Sequence, residues 1–289
     1  GIKVDDRMRT SDPSIYAVGD AAEVVDLVSG EAAMVPLAGP ANKQGRIAAD
    51  NIAGRDSRYK GTQGSAVVQV FGLTAASTGQ AEKALIRRGL KAGEDYQSVV
   101  ISPLSHAGYY PGAEHITMKL LFSMDGKKLL GAQAVGAAGV DKRIDVIATA
   151  MRLGAGVEDL QELELCYAPP FSSAKDPVNM AGFVAGNVLD GTVRFAPWDV
   201  LEKEPGVQTL DVRDPEEVDV CALKGAAHIP LWQLRERLDE LNPETPLVVF
   251  CAVGVRAYNA ARILTGHGFR DVRVYPGGMD FYTATHPEG

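Results

Sequence analysis

The sequence predicts two folded units of mixed architecture, an α+β unit with an antiparallel sheet and then a small α/β unit with a largely parallel sheet. The antiparallel sheet is indicated by Asp125-Gly126, a dipeptide typical of hairpin turns that lies between two alternating strand-like runs. The parallel sheet is indicated by residues 195–289, where short apolar strands alternate with helical segments. At 289 residues and 46% hydrophobic content, the chain is long enough to give each unit its own core.

Residues 1–54 are too few to form a domain of their own. They contain a strand-like IKV, a second strand-like stretch SIYAV, and a helix predicted over about residues 41–52 that ends before Gly54. The first strand has no preceding turn or helix on which to pack. We therefore expect the chain to begin in the middle of a fold.

The antiparallel unit is predicted over about residues 65–165. Its strands are AVVQVF, YQSVVIS, HITMKLLFS and KKLLGAQAV, and its helices cover about residues 80–88 and 141–153. In the second helix Ile144, Ile147 and Met151 recur at helical spacing and should face the sheet. We expect the helices on one side of the sheet, followed by a connecting segment, GFVAGNVLDGT.

The parallel unit begins near Phe195. Its predicted strands are VQTLDV, AAHIPL, PLVVFC and DVRVYP, and its predicted helices are PWDVLEKE, LRERLDELN and VRAYNAARILTGHG.

Composition limits the possible functions. A net charge of −8 argues against a nucleic-acid backbone as the main partner. No apolar run approaches the roughly 20 residues of a membrane span, and the start GIKVDDRMRT lacks the features of a signal peptide, so a cytoplasmic location is expected. Three cysteines without a CxxC pair predict neither a disulfide framework nor a metal site. For Cys166 and Cys221 we expect a small buried hydrophobe.

The third cysteine, Cys251, ends a strand directly before a helix, in the segment CAVGVR. Unpaired amides and the helix dipole at this point favour an anion, so they should favour a reactive thiolate. Gly254 would let the backbone curl so that its N–H groups face inward, and Arg256 could close the ring or supply a fixed positive charge. Such a loop can hold a thiolate, a persulfide or an oxyanion. The arginine at the fifth position after Cys251 favours sulfur chemistry over a cysteine phosphatase, which needs a wider loop.

Residues 192–289 resemble a rhodanese domain. The motifs that carry the resemblance are TLDVRDPEEV (209–218), GAAHIPL (225–231), CAVGVR (251–256) and YPGGMDFY (275–282). The resemblance implies that Cys251 takes a sulfane sulfur as a persulfide and passes it to a nucleophile. The persulfide would be stabilised by the loop amides of Ala252, Val253, Gly254 and Val255.

The same resemblance assigns supporting roles in this unit. Asp211 and Arg213 match the family's acid and base at the strand end, and we interpret them as an internal brace. His228 is interpreted as a structural hydrogen-bond donor.

A second signal is TSDPSIYAVGD, residues 10–20, where Gly19 allows close approach and Asp20 can accept from sugar-alcohol hydroxyls. It resembles the second FAD motif of the pyridine nucleotide disulfide reductases, whose matching aspartate binds the flavin's ribityl chain. The next segment, VPLAGPANKQGRIAADNI, resembles that family's flavin-side segment. This implies that the backbone of Pro36, Leu37 and Ala38, at a helix N-terminus, meets the isoalloxazine.

The segment CYAPPFSSAKDPVNMAG (166–182) resembles coenzyme A disulfide reductases and NADH-dependent persulfide reductases, some of which carry a fused rhodanese. In that subgroup two tyrosines reach the partner subunit's active-site cysteine. The matching residues are Tyr167 and Tyr109, or its neighbour Tyr110. A phenol there could donate a proton during disulfide cleavage; the alternative is that the tyrosines only pack at an interface.

The resemblance predicts three segments: 1–60 as the C-terminal part of an FAD-binding domain, 61–187 as a dimerisation domain and 192–289 as the rhodanese domain. No GxGxxG motif occurs, and the family's redox cysteine is absent. We therefore expect the C-terminal half of a fusion enzyme, with its own N-terminal half as a possible partner.

The expected function is part of a flavin-dependent reductase, with FAD as cofactor and NADH and coenzyme A as substrates of the intact enzyme. The expected partners are a second copy, bound through residues 61–187, and small-molecule thiols, persulfides or disulfides. The alternatives are a scaffold that dimerises and carries sulfur without redox chemistry, and a cysteine phosphatase.

Overall fold

The computed structural model of the chain describes residues 1–286, which form three separate sheets. The first has three short strands, the second five antiparallel strands and the third four parallel strands. The predicted α/β and α+β fold class is confirmed. No helix among the described residues is both long enough and apolar enough to cross a membrane.

The N-terminal segment is a small sheet covered by one helix. Its elements are β1 (Ile2–Lys3), β2 (Ala22–Val25), β3 (Ala32–Ala33) and α1 (Ala38–Ile52). α1 begins three residues earlier than predicted, because Pro40 lies in its first turn, where no backbone N–H is needed. The prediction of a strand at SIYAV is wrong, since Tyr16 forms only an isolated bridge with Arg9.

The antiparallel sheet has the order β4-β5-β8-β7-β6. Its strands are β4 (Ala66–Val70), β5 (Leu73–Gly79), β6 (Tyr96–Ile101), β7 (Ile116–Ser123) and β8 (Leu129–Gly136). The turn between β7 and β8 contains Asp125-Gly126, as predicted.

Strand β5 is absent from the sequence-based prediction. Its sequence, LTAASTG, is rich in small residues of low strand propensity. It is a strand because β4 pairs with its residues 73–77 on one side and β8 pairs with its residues 74–79 on the other.

Three helices cover one face of this sheet and bury its main core. They are α3 (Val140–Leu153), α4 (Val157–Glu162) and α5 (Pro177–Leu189). The short α2 (Glu82–Arg87) buries Leu85 against Tyr96 and Leu121 on the opposite face, so the prediction that the helices lie on one side of the sheet is wrong for α2.

The prediction that GFVAGNVLDGT is a connection is wrong, because most of it is the second half of α5. Its glycines serve close packing. A Cβ atom at Gly182 would lie 3.0 Å from the Gln161 nitrogen, and one at Gly186 would lie 2.8 Å from the Gln161 side-chain amide nitrogen.

The parallel sheet has the order β10-β9-β11-β12. Its elements are α6 (Val200–Lys203), β9 (Gln208–Asp211), α7 (Pro215–Val220), β10 (Ala227–His228), β11 (Leu247–Phe250), α8 (Val255–Gly266), β12 (Val272–Val274) and α9 (Gly278–Thr285). The four strands lie where the sequence predicts them. The segment LRERLDELN is not an α-helix but two 3₁₀ turns, Leu234–Glu236 and Leu238–Glu240. The short helices α7 and α9 were not predicted.

Candidate functional site

The first candidate site is the loop of residues 251–256, here called the cysteine loop. Cys251 follows β11, and α8 begins at Val255. The Gly254 N–H donates to Cys251 Sγ at 3.0 Å, so an amide at the helix start already points at the sulfur. Gly254 has φ of +119°, a conformation that favours glycine. The geometry suits a sulfur that becomes negatively charged.

The backbone of the cysteine loop is held from behind by α9. The Met279 N–H donates to the Cys251 carbonyl at 2.8 Å, and the Asp280 N–H donates to the Ala252 carbonyl at 3.1 Å. Gly278 has φ of +65°, and a Cβ atom there would overlap both carbonyl oxygens. The segment YPGG (275–278) therefore contains two glycines at the point where the start of α9 lies against the backbone of the cysteine loop.

Arg256 points to α7 and not to the sulfur. Its guanidinium bonds both carboxylate oxygens of Glu217, at 2.5 and 2.7 Å, and Asp214 at 3.0 Å. The hydrogen bond from Arg256 lowers the pKa of Glu217 to about 2. The Arg256 guanidinium therefore does not close the cysteine loop, and its charge is balanced by the carboxylates of Glu217 and Asp214.

Asp211 and Arg213 form a buried ion pair behind the cysteine loop. Arg213 Nη2 lies 2.6 Å from Asp211 Oδ2, and the two side chains are 6% and 2% exposed. Arg213 also donates to the Cys221 carbonyl at 2.5 Å. His228 Nε2 lies 2.9 Å from the Arg213 carbonyl, and because a carbonyl only accepts, the imidazole donates. These contacts fit a brace and a structural donor.

The expectation of burial for Cys166 and Cys221 is wrong, since both are exposed, whereas Cys251 is 1% exposed. Cys221 caps the end of α7, and Cys166 lies in the irregular segment after α4. Neither place offers a core to fill.

The second candidate site is a pair of tyrosines on the antiparallel unit. The hydroxyl groups of Tyr109 and Tyr167 lie 3.1 Å apart, and the residues are 78% and 48% exposed. The hydrogen bond to Tyr167 raises the pKa of Tyr109. Tyr110 instead packs its ring edge against His106, with ring centroids 5.7 Å apart. The fold thus brings together Tyr109 and Tyr167 and leaves Tyr110 outside the pair.

The third candidate site is the segment with the flavin motif. Gly19 donates its N–H to the Gln44 side chain on α1 at 2.7 Å, which places the exposed Asp20 beside that helix. No side chain caps the start of α1 at Leu37, and a Cβ atom at Gly39 would meet no atom within 4 Å. Free amides, an open backbone and a nearby carboxylate fit the edge of a flavin. Pro36 and Ala38 flank this helix start and are exposed.

A cleft of about 820 Å³ between α1 and α3 was not predicted from the sequence. Its walls carry the cationic residues Lys43, Arg46, Arg58, Lys60 and Arg152. They come from three distant segments, so no local motif signals them. No cluster of three or more His, Cys, Asp and Glu side chains among residues 1–286 is placed to hold a metal.

Comparison with known families assigns two parts of the chain. The family described as pyridine nucleotide-disulphide oxidoreductase, dimerisation domain, matches residues 65–177. The family described as rhodanese-like domain matches residues 199–285. The chain therefore joins a segment that matches the disulphide oxidoreductase dimerisation domain to a segment that matches the rhodanese-like domain.

Three known proteins are similar to all or part of this chain. The coenzyme A disulfide reductase of Staphylococcus haemolyticus (strain JCSC1435) is 39% identical over 185 residues, 64% of this chain and 41% of that protein. The structure of reduced Bacillus anthracis CoADR-RHD matches 99% of this chain and 51% of its own, with TM-score 0.93 and 48% identity. The NAD-dependent persulfide reductase from A. fulgidus matches 97% of this chain and 50% of its own, with TM-score 0.86 and 41% identity.

The chain spans about half the length of these relatives, or less. The resemblance predicted from the sequence, to coenzyme A disulfide and persulfide reductases with a fused rhodanese domain, is confirmed.

Proposed function

We propose that this chain is part of a flavin-dependent, NADH-linked reductase of coenzyme A disulfides or persulfides, in which Cys251 carries sulfane sulfur. The observation that carries the proposal is the exposed Tyr109–Tyr167 hydroxyl pair on a domain of the disulfide oxidoreductase class. The Gly254 amide aimed at Cys251 Sγ supports the sulfur-carrying arm.

The tyrosine pair acts on the leaving sulfur. When a redox cysteine thiolate attacks a disulfide or persulfide, a new S–S bond forms, the old one breaks, and the leaving sulfur takes the electron pair. A phenol beside that sulfur donates a hydrogen bond or a proton to it. Since Tyr109 and Tyr167 are hydrogen-bonded to each other, one orients the other for donation. The attacking cysteine is not one of this chain's three.

The cysteine loop acts on sulfane sulfur. A nucleophile attacks the outer sulfur of the Cys251 persulfide, the S–S bond breaks, and Cys251 Sγ leaves as a thiolate. The Gly254 N–H, which donates to Cys251 Sγ at 3.0 Å, stabilises the negative charge on that thiolate. Arg256 is proposed to hold the start of α8 against α7 through its bonds to Glu217. The amides of Ala252, Val253 and Val255 are proposed to complete the loop around the sulfur.

The FAD site is proposed at Asp20 and Gly19 together with Pro36, Leu37 and Ala38 at the start of α1. FAD, when bound, supplies two-electron transfer between NADH and sulfur. The cationic cleft fits the phosphate-rich tail of coenzyme A, because Lys43, Arg46 and Lys60 form no salt bridge within residues 1–286.

The chain is proposed to act as a homodimer through residues 61–187, in the cytoplasm, on small thiols, persulfides and disulfides. The segments 1–60, 61–187 and 192–289 are the proposed functional divisions. The division rests on the resemblance and on the family matches at 65–177 and 199–285.

The experiment that tests sulfur transfer by Cys251 is the measurement of thiocyanate formation from thiosulfate and cyanide. We expect activity in the wild-type chain and in Cys221→Ser, and none in Cys251→Ser. Thiocyanate formation by Cys251→Ser would overturn the assignment. Aryl phosphate hydrolysis that is lost with Cys251 would point to a phosphatase instead.

The experiment that tests the proposed reductase function begins with the visible absorption spectrum of the purified chain. A flavin band that Asp20→Ala removes would support the FAD site. NADH oxidation that depends on coenzyme A disulfide is then measured in a longer protein that joins this chain to the redox cysteine and the NADH site. NADH oxidation in that protein that does not respond to disulfide or persulfide would contradict the proposal.

A further inference from the structure

Arg143 is a charged side chain at the centre of the antiparallel unit, and the function described so far does not use it. It lies in the first turn of α3 and is 1% exposed. Burying a guanidinium is costly, and a buried ion pair can often be replaced by apolar residues without loss of stability. Its presence therefore calls for a role beyond filling the core.

The guanidinium of Arg143 joins the two loops that carry the tyrosine pair. Nη2 donates to the Ser105 carbonyl at 2.8 Å, four residues before Tyr109. The same nitrogen donates to Ser172 Oγ at 3.2 Å, five residues after Tyr167. One planar group thus ties both segments to the same helix.

The acceptors of Arg143 are themselves held in place. Arg143 Nε donates to Asp176 Oδ2 at 3.2 Å, and Ser172 Oγ donates to the same oxygen at 2.6 Å. The other oxygen of Asp176 caps α5 by accepting from the Val178 N–H at 3.0 Å. Ser105, Ser172 and Asp176 are each less than 5% exposed. The network is buried and polar, and its members fix one another.

Glycine makes room for the guanidinium. Arg143 Nη1 donates to the Gly139 carbonyl at 3.0 Å, and a Cβ atom at Gly139 would overlap that nitrogen. The two loops also touch directly, since the Ala107 N–H donates to the Ser172 carbonyl at 3.0 Å. The segments around Tyr109 and Tyr167 contain no helix or strand, so their positions depend on contacts of this kind.

We propose that Arg143 is the positioning residue of the tyrosine pair. It holds the loop that contains Ser105 and the loop that contains Ser172 so that the hydroxyl groups of Tyr109 and Tyr167 lie within hydrogen-bond distance. The relevance of this role to catalysis rests on the proposed function of the pair. The positioning itself does not, and it can be measured on the chain alone.

The test is the titration of the two phenols by NMR on the full chain labelled with ¹³C at tyrosine Cζ. The Tyr109 and Tyr167 signals are assigned from Tyr109→Phe and Tyr167→Phe. Arg143→Lys keeps a positive charge near Asp176 but loses the planar guanidinium group whose nitrogens donate to both loops. We expect Tyr109 to titrate at lower pH in Arg143→Lys than in the wild type, because its hydrogen bond with Tyr167, which raises the Tyr109 pKa, is lost.

The matched control is Lys142→Met, which removes the neighbouring charge 4.0 Å from Asp176; among residues 1–286 the Lys142 side chain forms no hydrogen bond with either loop. It should leave the Tyr109 titration unchanged. A purely structural Arg143 would lower the melting temperature without changing the titration of the folded chain, and that result in Arg143→Lys would overturn the proposal.

Should Arg143→Lys fail to fold, Ser172→Ala carries the test, since it removes one acceptor of Arg143 with little change of volume. A downward shift of the Tyr109 titration is expected, and an unchanged titration would overturn the proposal. The proposed function fails separately: Tyr109→Phe and Tyr167→Phe that reduce disulfide at the wild-type rate would remove the catalytic role and leave the positioning result standing.

Discussion

The hydroxyl groups of Tyr109 and Tyr167 lie 3.1 Å apart although 58 residues separate them in the chain. Both residues are exposed, so this contact is not a by-product of core packing. The hydrogen bond fixes the two hydroxyl groups relative to each other at the surface.

The first prediction concerns this pair. Tyr167→Phe should lower the pKa of Tyr109 towards its ordinary value, because the hydrogen bond between Tyr109 and Tyr167 is the main cause that raises it. In a flavin-loaded enzyme that joins this chain to the redox cysteine, each Phe variant should slow disulfide reduction by on the order of 10²-fold. Steady-state rates measure this. Tyr110→Phe is the control, and a loss of rate as large in Tyr110→Phe would show that the wrong tyrosine was chosen.

The second prediction concerns the glycine behind the cysteine loop. Gly278→Ala should destabilise the chain by well over about 1–2 kcal/mol, the usual cost of a left-handed conformation at a non-glycine residue, because the new Cβ also meets the loop carbonyls. Urea unfolding checks this value. Gly268→Ala is the control, since Gly268 also has a left-handed φ, of +89°, but open space around it. Equal losses in the two variants would mean that the contact with the loop is unimportant.

The third prediction concerns pH. The pKa of Glu217 falls from 4.5 to about 2 in the folded chain, chiefly through its hydrogen bond with Arg256. Since the folded value lies below the unfolded one, Glu217 stabilises the fold above about pH 4.5, and this contribution is lost as pH falls towards 2. Glu217→Gln should therefore lose less unfolding free energy over that range than the wild type.

Urea titrations at a series of pH values between 2 and 5 test the role of Glu217. The control is Glu216→Gln on the same helix, which removes a carboxylate that takes no part in the contacts of Arg256. The same pH dependence in wild type and Glu217→Gln would contradict the assignment.

The fourth prediction concerns the buried pair Asp211–Arg213. Removing one partner leaves the other charge buried, so Asp211→Ala should cost about 3–5 kcal/mol of unfolding free energy. The exposed pair Arg270–Glu244 offers the comparison, and Arg270→Ala should cost at most about 1 kcal/mol. Chemical denaturation gives both values. A small loss in Asp211→Ala would mean that the pair is not a brace.

Local patterns were sufficient for much of the fold. The hairpin around Asp125-Gly126 and the four strands of the parallel sheet could be predicted, because each is signalled by the pattern of apolar and polar residues within a short stretch of sequence. Strand β5 and helix α5 could not. The small residues of β5 are strand only because two neighbours pair with them, and the glycines of α5 are tolerated because α4 packs against them.

The sequence by itself determined where Cys251 lies relative to a strand and a helix, because strand, glycine and helix signals follow one another within a few residues. It also determined which families the chain resembles. Only the tertiary structure decided that Cys251 is buried while Cys166 and Cys221 are exposed, that Arg256 turns to Glu217, and that Arg143 ties the tyrosine loops together. Each of these depends on contacts between residues far apart in the chain, which no local spacing encodes.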